Sequence, residues 1–180
     1  MTEPPAAHRA HAADDDASRS IPCAVLTVSD TRTDETDVSG NAIVTRLAAA
    51  GHRLADRRIV RDEPDAIRTT IDAWLDDPDV AVVITTGGTG LGRRDGTVEV
   101  VRALLSAELE GFGELFRMIS FQEIGSAAML SRAVGGLVTR AGGGDTFLFA
   151  LPGSPNAVAT ALDRLLVPEL GHLVWMRRNP

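Results

Sequence analysis

The chain has 180 residues, 44% of them hydrophobic, which is typical of one globular domain with a substantial core. Its formal net charge of −7 argues against a general nucleic-acid-binding surface, and no apolar run approaches the roughly 20 residues of a membrane span. A single cysteine excludes a disulfide framework or a cysteine metal cluster, so we expect a cytoplasmic protein without nucleic-acid or membrane partners.

The first 20 residues differ in composition from the rest of the chain. They carry Pro4-Pro5, several alanines and the run Asp14-Asp15-Asp16, without any apolar periodicity. This composition is typical of a disordered segment, and it lacks the charged-then-apolar pattern of a secretory signal. We therefore expect a disordered leader over residues 1–20 and a single domain over residues 21–180.

From Ile21 onward, short apolar runs alternate with segments of helical periodicity. Strands are predicted at Cys23–Val28, Leu54–Val60, Val80–Ile84, Leu137–Thr139 and Phe147–Leu151. The second of these is more polar and is expected nearer a sheet edge. Helices are predicted from Ser39 to Gly51, after Pro64, after Thr97, within residues 108–132 and after Asn156. The hydroxyls of Ser39 and Thr97 are expected to cap their helices. The alternation predicts an α/β fold with a largely parallel sheet.

Three predicted strands end in turns of unusual composition. The turns are Val28-Ser29-Asp30, Thr86-Gly87-Gly88-Thr89-Gly90 and Leu151-Pro152-Gly153-Ser154-Pro155-Asn156. If the three strands are parallel, these turns meet at one edge of the sheet, where open α/β sheets bind their ligands. Each turn alone is more simply an ordinary connection. Together, with Arg93-Arg94-Asp95 following one of them, they favour a single crevice for a phosphate-bearing ligand.

The basic residues restrict the chemistry of such a crevice. All 18 are arginines, so a Schiff-base lysine and the lysine of a Walker A loop are excluded. Backbone amides and guanidinium groups would bind the anion instead. Asp62 and Asp95 each lie between a predicted strand and a predicted helix, where two carboxylates and substrate phosphates could hold Mg²⁺. Taken singly, each aspartate is better explained as a helix cap, and Arg93 and Arg94 could equally be solvated surface charges.

In this order, the motifs resemble those of the MoaB/MogA family of molybdenum cofactor biosynthesis proteins, whose relatives include the gephyrin G domain. The resemblance covers nearly all of residues 21–170, and its middle segment is closer to MoaB-type than to MogA-type sequences. The motifs are Val28-Ser29-Asp30-Thr31-Arg32, Thr86-Gly87-Gly88-Thr89-Gly90, Arg94-Asp95-Gly96-Thr97, Glu110-Gly111-Phe112-Gly113-Glu114-Leu115-Phe116-Arg117, Leu130-Ser131-Arg132-Ala133 and Leu151-Pro152-Gly153-Ser154-Pro155.

The resemblance implies a three-layer α/β/α fold that assembles as a homotrimer or a hexamer. It implies Mg²⁺-dependent transfer of AMP from ATP to the terminal phosphate of molybdopterin, with release of pyrophosphate. By position, Asp62 and Asp95 match the two functional aspartates and are expected to be catalytic and to bind the metal. Substrate and phosphate binding is expected from Ser29, Asp30, Thr86, Gly87, Gly88, Thr89, Gly90, Arg94, Ser131, Pro152, Gly153 and Ser154.

Two features leave the activity open. Val98 stands where the family often has proline, which should loosen the start of the following helix without removing the site. Some MoaB-type members lack the second aspartate, whereas this chain keeps Asp95, which favours an enzyme. The alternatives are a non-catalytic molybdopterin-binding or scaffold protein, and a generic doubly wound nucleotide-binding module.

Association is predicted separately, from apolar surface. The apolar faces within Phe112–Phe121 and Ala127–Leu130 exceed what one small sheet needs to cover it. This excess favours an oligomer, and the resemblance implies a trimer.

Overall fold

The computed structural model of the protein describes residues 19–140 and 144–179. The predicted disordered leader falls almost entirely on residues 1–18, which lie outside the described residues, so it stays a prediction. Within the described ranges, no helix combines the length and the apolar character that crossing a membrane requires.

A six-stranded sheet forms the centre of the described structure. Its strands are β1 (Pro22–Val28), β2 (Arg53–Val60), β3 (Val82–Thr86), β4 (Ala107–Glu108), β5 (Val134–Thr139) and β6 (Asp145–Leu151), in the spatial order β2-β1-β3-β6-β5-β4. Strands β2, β1, β3 and β6 are parallel to one another, whereas β5 and β4 are antiparallel. The predicted largely parallel sheet is confirmed, as is the position of the polar strand β2 at an edge.

Helices cover both faces of the sheet. They are α1 (Val38–Ala49), α2 (Pro64–Leu75), α3 (Thr97–Leu104), α4 (Glu110–Ile124), α5 (Pro155–Ala161) and α6 (Val167–Arg178). A 3₁₀ segment, Gly125–Leu130, follows α4, and a π-helical turn, Leu162–Leu166, joins α5 to α6. One apolar core lies under α1, α4, α5 and α6, and the other lies under α2 and α3. The three-layer α/β/α class is therefore confirmed.

Strand β1 shows why its sequence is apolar throughout. Cys23 and Val25 pack into one core, while Ala24 and Leu26 pack into the other, because successive side chains of a strand point to opposite faces. All four are completely buried. Burial raises the pKa of the Cys23 thiol to about 12, with Arg53 opposing the shift slightly.

Both predicted hydroxyl caps are wrong. Helix α1 is capped by Asp37, whose Oδ1 accepts a hydrogen bond from the Gly40 N–H at 2.8 Å. The Ser39 hydroxyl instead donates to the Gly153 carbonyl at 2.7 Å, outside its own helix. Helix α3 is preceded by Gly96, and Thr97 is its first residue, with a fully buried side chain. A tertiary contact has drawn the Ser39 hydroxyl away from capping, whereas Thr97 lies one residue inside its helix and its hydroxyl has no hydrogen-bond partner among the described residues.

Candidate functional site

The three turns predicted to meet do lie side by side. Thr27 near the end of β1 pairs with Thr86 at the end of β3, which in turn pairs with Leu151 at the end of β6. Because all three strands are parallel, the chain leaves each of them at the same edge of the sheet. Strand β2, which Asp62 follows, is parallel to β1 and ends at that edge too.

Direct hydrogen bonds join the glycine turn to the turn after β6. The Gly87 N–H donates to the Leu151 carbonyl at 3.2 Å, and the Thr86 hydroxyl donates to the Pro152 carbonyl at 3.1 Å. A Cβ atom on Gly153 would lie 3.2 Å from the Gly87 Cα atom, so these two turns are in close backbone contact. The second turn is therefore a wall of the same site.

A small cleft of about 150 Å³ opens between these turns. It is lined by Thr27, Val28, Ser29, Arg32, Asp37, Ser39, Thr86, Gly87 and Gly153. A second cleft of about 570 Å³ lies over the ends of β1 and β2, and Ser29 and Arg32 line both. The larger cleft is lined by charges of both signs. Arg57, Arg58 and Arg61 offer guanidinium groups that can bind an anion, while Asp30 and Asp34 add carboxylates.

The glycine turn requires its first two glycines for different steric reasons. Gly87 has φ of 95°, and a Cβ atom there would lie 2.2 Å from the Val28 carbonyl oxygen. Gly88 has φ of 61°, and its Cβ atom would lie 2.3 Å from Thr97 Oγ1 and 2.9 Å from Asp62 Oδ1. Only glycine adopts these conformations without strain, and its small size brings the turn directly against Asp62.

Asp62 is held half-buried behind the glycine turn. Its Oδ1 atom is buried and accepts no hydrogen bond from the described residues. Burial raises the pKa of the Asp62 carboxyl, the nearby carboxylates of Asp95 and Asp30 raise it further, and the Gly96 N–H opposes the shift. The carboxylates of Asp30, Asp62 and Asp95 therefore lie near one another, although they come from three loops that are far apart in the sequence.

Asp95 closes the loop that follows the turn. Its Oδ2 atom accepts a hydrogen bond from the Gly92 N–H at 2.7 Å and lies 2.6 Å from where a Gly90 Cβ would be. Across the described ranges, no group of three or more His, Cys, Asp or Glu residues is arranged to hold a metal. Mg²⁺ is commonly bound by one or two carboxylates plus substrate phosphates, and the Asp62–Asp95 pair offers the two carboxylates of such a site.

Arg94 ties the glycine turn to the turn after β1. Its Nη1 and Nη2 atoms lie 3.0 and 3.2 Å from the two carboxylate oxygens of Asp30. Both side chains are exposed, so the pair contributes at most about 1 kcal/mol to stability. Its geometric consequence is that it links the loop after the glycine turn to the turn after β1.

Comparison with known proteins identifies the family. A family model described as a probable molybdopterin binding domain matches residues 24–172. The chain is also 47% identical, over 160 residues, to the molybdenum cofactor biosynthesis protein B of Bacillus cereus, across 88% of this chain and 92% of that protein. The chain belongs to the MoaB/MogA family.

Solved structures agree with this assignment to the MoaB/MogA family. A crystal structure of a molybdenum cofactor biosynthesis protein B matches with a TM-score of 0.85 and 46% identity, covering 92% of this chain and 100% of that one. The tungsten cofactor synthesizing protein MoaB from Pyrococcus furiosus matches with a TM-score of 0.76 and 35% identity, covering 89% and 98%. The predicted resemblance is confirmed.

Two further residues predicted to bind substrate in this MoaB/MogA family member, Ser154 and Ser131, have no direct role in joining the three turns. Ser154 caps helix α5, its Oγ accepting from the Ala157 N–H at 3.2 Å, so its hydroxyl is already engaged. Ser131 is half-buried after the 3₁₀ segment. No hydrogen bond within the described ranges links the Ser131 side chain to the three turns, but its neighbour Arg132 contacts the glycine turn directly.

Sequence reasoning left the role of Arg132 open and missed a buried network beneath the cleft. Asp37 is 1% exposed and accepts hydrogen bonds from Thr27 Oγ1 at 2.6 Å and from Arg57 Nη2 at 2.8 Å. Burial alone would raise the pKa of Asp37, but the hydrogen bonds from Thr27, Gly40 and Arg57 lower it overall. The network fixes β1, β2 and α1 around one carboxylate.

Proposed function

We propose that the protein acts in molybdenum cofactor biosynthesis by transferring AMP from ATP to the terminal phosphate of molybdopterin. The observation that carries this proposal is the position of Asp62. Its buried Oδ1 atom has no hydrogen-bond partner among the described residues and lies behind Gly88 and close to Asp95. Because the chain has no lysine, a phosphate site here would depend on backbone amides, arginines and a bound cation. A carboxylate placed there is suited to a cation shared with substrate phosphates.

The proposed reaction requires no protein nucleophile. A terminal phosphate oxygen of molybdopterin attacks the α-phosphorus of ATP, the bond from that phosphorus to the bridging oxygen breaks, and pyrophosphate leaves. Mg²⁺ bound by Asp62 and Asp95 would neutralise the phosphate charge. The protein's contribution is to position the two phosphates and to stabilise charge with fixed donors.

The turns bring backbone groups to the site, although the Gly87 N–H is already bonded to the Leu151 carbonyl and is not one of the free donors. Gly87 and Gly88 bring backbone close to the site, and the turn at Gly153 stands opposite, in contact with Gly87. Arg94 is paired with Asp30, which lines the larger cleft, so phosphate oxygens there can compete with Asp30 for its guanidinium group. The two facing turns, at Gly87-Gly88 and at Gly153, would each lie beside one of the two reacting phosphates.

The test is pyrophosphate release from ATP in the presence of molybdopterin and Mg²⁺. We expect turnover by the wild type and a loss of at least about 100-fold in Asp95→Asn, since removing one element of charge stabilisation typically costs that much. Asp72→Asn is the matched control, because Asp72 pairs with Arg68 on the exposed face of α2. A wild type without turnover, where an active MogA-type enzyme works in parallel, would refute the proposal.

One observation favours the non-catalytic alternative. The Asp95 carboxylate already accepts a hydrogen bond from the Gly92 N–H, so it has a structural role that a binding protein would also need. A molybdopterin-binding or scaffold protein predicts pterin binding that survives Asp95→Ala, together with no ATP-dependent product. The same preparations therefore separate the two functions. A generic nucleotide-binding module is disfavoured by the family match over residues 24–172.

Assembly into a trimer or hexamer stays part of the proposal. Of the predicted apolar face on α4, Phe112 and Phe116 are buried in the protein's own core, which corrects the prediction for those residues. Other apolar side chains of α4 and the 3₁₀ segment are exposed, namely Leu115, Met118, Phe121, Ile124, Met129 and Leu130. A surface of this kind is typical of an interface between subunits, and light scattering would measure the assembly directly.

A further inference from the structure

The Arg132 side chain binds the backbone carbonyls at the end of the glycine turn. Its Nε atom donates to the Thr89 carbonyl at 2.8 Å, and its Nη2 atom donates to the Gly90 carbonyl at 2.5 Å. Its Nη1 atom donates to Glu99 Oε1 at 2.5 Å. The Arg132 side chain is 23% exposed, so one planar guanidinium group, mostly covered, joins two consecutive carbonyls to the first turn of α3.

Holding those two carbonyls also fixes two N–H groups. In a trans peptide the C=O of one residue and the N–H of the next point in opposite directions, and the described residues contain no cis peptide. Because the Thr89 and Gly90 carbonyls converge on one guanidinium group, the N–H groups of Gly90 and Leu91 point away from it. Neither N–H donates to an acceptor within the described ranges. Two adjacent backbone donors are thus oriented and left available.

The guanidinium group itself is poorly placed to serve as a free cation. All three of its nitrogens are engaged, and Glu99 balances its charge; the hydrogen bond from Arg132 is the main reason that the pKa of Glu99 is lowered. A phosphate would have to displace these partners to reach it. The backbone amides on the other side of the peptides need no such displacement.

We propose that Arg132 is a positioning residue, which orients the Gly90 and Leu91 amides to donate to phosphate oxygens without contacting the phosphate itself. The identity of the phosphate as that of ATP rests on the proposed function, whereas the orientation of the amides does not. Arginine suits this geometry because its rigid planar fork presents separate nitrogens to the two carbonyls and to Glu99, whereas an ammonium group is a single nitrogen on a flexible stem.

The substitutions that test this separate the fork from the charge. Arg132→Lys keeps the positive charge but loses the paired contacts, and Glu99→Gln removes the ion pair but keeps both carbonyl contacts. For Mg·ATP binding measured by calorimetry, we expect about a tenfold or greater loss of affinity in Arg132→Lys, and less than about a threefold change in Glu99→Gln. Thermal unfolding of each variant checks that both remain folded.

A second measurement observes the amides directly and needs no ATP chemistry. In NMR titrations with inorganic pyrophosphate, the Gly90 and Leu91 amide signals of the wild type should shift strongly, and the shifts should be much smaller in Arg132→Lys. In Arg132→Ala, low millimolar guanidinium chloride should restore binding, while ammonium chloride at the same concentration should not. This rescue distinguishes positioning from a loss of fold.

Several outcomes would overturn the inference. They are wild-type affinity in Arg132→Lys, an equal loss in Glu99→Gln, Gly90 and Leu91 signals that ignore pyrophosphate in the wild type, or rescue by ammonium as readily as by guanidinium. If the wild type fails to release pyrophosphate from ATP and molybdopterin, the proposed function fails instead. The pyrophosphate titration still decides the role of Arg132 in that case.

Discussion

Replacing Gly88 by alanine should damage both the stability and the site of the protein. The residue has φ of 61°, a left-handed conformation that costs a non-glycine residue about 1–2 kcal/mol. The added Cβ would lie 2.3 Å from Thr97 Oγ1, and relieving such an overlap in a packed region costs about 1–3 kcal/mol more. The expected loss in free energy of unfolding is therefore about 2–5 kcal/mol.

The same geometry predicts a partial rescue. Thr97 Oγ1 is buried without a hydrogen-bond partner in the described structure, so Thr97→Ala removes the obstructing atom without breaking a hydrogen bond. The double variant Gly88→Ala/Thr97→Ala should recover part of the stability, and the remaining deficit should reflect the backbone conformation and the contact with Asp62, 2.9 Å from the Cβ position. Mg·ATP binding should stay weak because that contact persists.

Urea unfolding of the four species gives the coupling energy directly. Gly111→Ala is the matched control, because a Cβ atom at Gly111 would meet no atom within 4 Å and the residue lies in α4. It should stabilise the protein by about 0.5–1 kcal/mol. The steric reasoning is refuted if Gly88→Ala unfolds within about 0.5 kcal/mol of the wild type, or if the double variant recovers nothing.

Two further predictions concern the carboxylates. Because the folded protein raises the pKa of Asp62, ionisation of its carboxyl opposes folding. Asp62→Asn should therefore be more stable than the wild type near pH 7 without Mg²⁺. This difference should vanish as the pH falls below the ordinary aspartate range. Thermal melts from pH 3 to 7 measure this, and a gain that grew toward low pH would contradict it. The effect of ionisation on stability is opposite at Asp37, because folding lowers the pKa of its carboxyl. Asp37→Asn should reduce the free energy of unfolding by about 3 kcal/mol at pH 7, because Arg57 loses a buried partner. This cost should shrink as acid protonates the wild-type carboxyl. Urea unfolding at pH 7 and pH 3 tests it, and an equal cost at both would exclude an ionic origin.

The sequence predicted the parts of the site that depend on local composition. The glycine turn follows a buried strand, and the order of strands and helices implied that its neighbours would end at the same edge. The apolar run predicts that β3 ends at Ile84, but the strand continues through Thr85 and Thr86, which are polar and yet fully buried in the sheet. Burial between two helical layers outweighs the polarity of a threonine hydroxyl.

Contacts between distant segments could not be predicted in the same way. Arg132 reaches carbonyls more than 40 residues earlier in the chain, and Asp37 meets Arg57 only because β2 lies beside β1. Neither pair has a spacing that a helix or a strand would impose. Likewise, the local sequence predicts that the Ser39 hydroxyl caps its helix, and only the three-dimensional position of Gly153 explains why it donates to that carbonyl instead.

The buried thiol of Cys23 gives this protein a practical advantage for solution work. It is the only cysteine in the chain, is completely buried in β1, and has a pKa of about 12, so almost none of it is thiolate at neutral pH. Alkylating dyes should leave the native protein unmodified. In the variant Leu91→Cys, the new thiol would then carry the sole fluorophore, because Leu91 is 72% exposed on the glycine loop, and ligand arrival could be followed beside the crevice without first replacing the native cysteine.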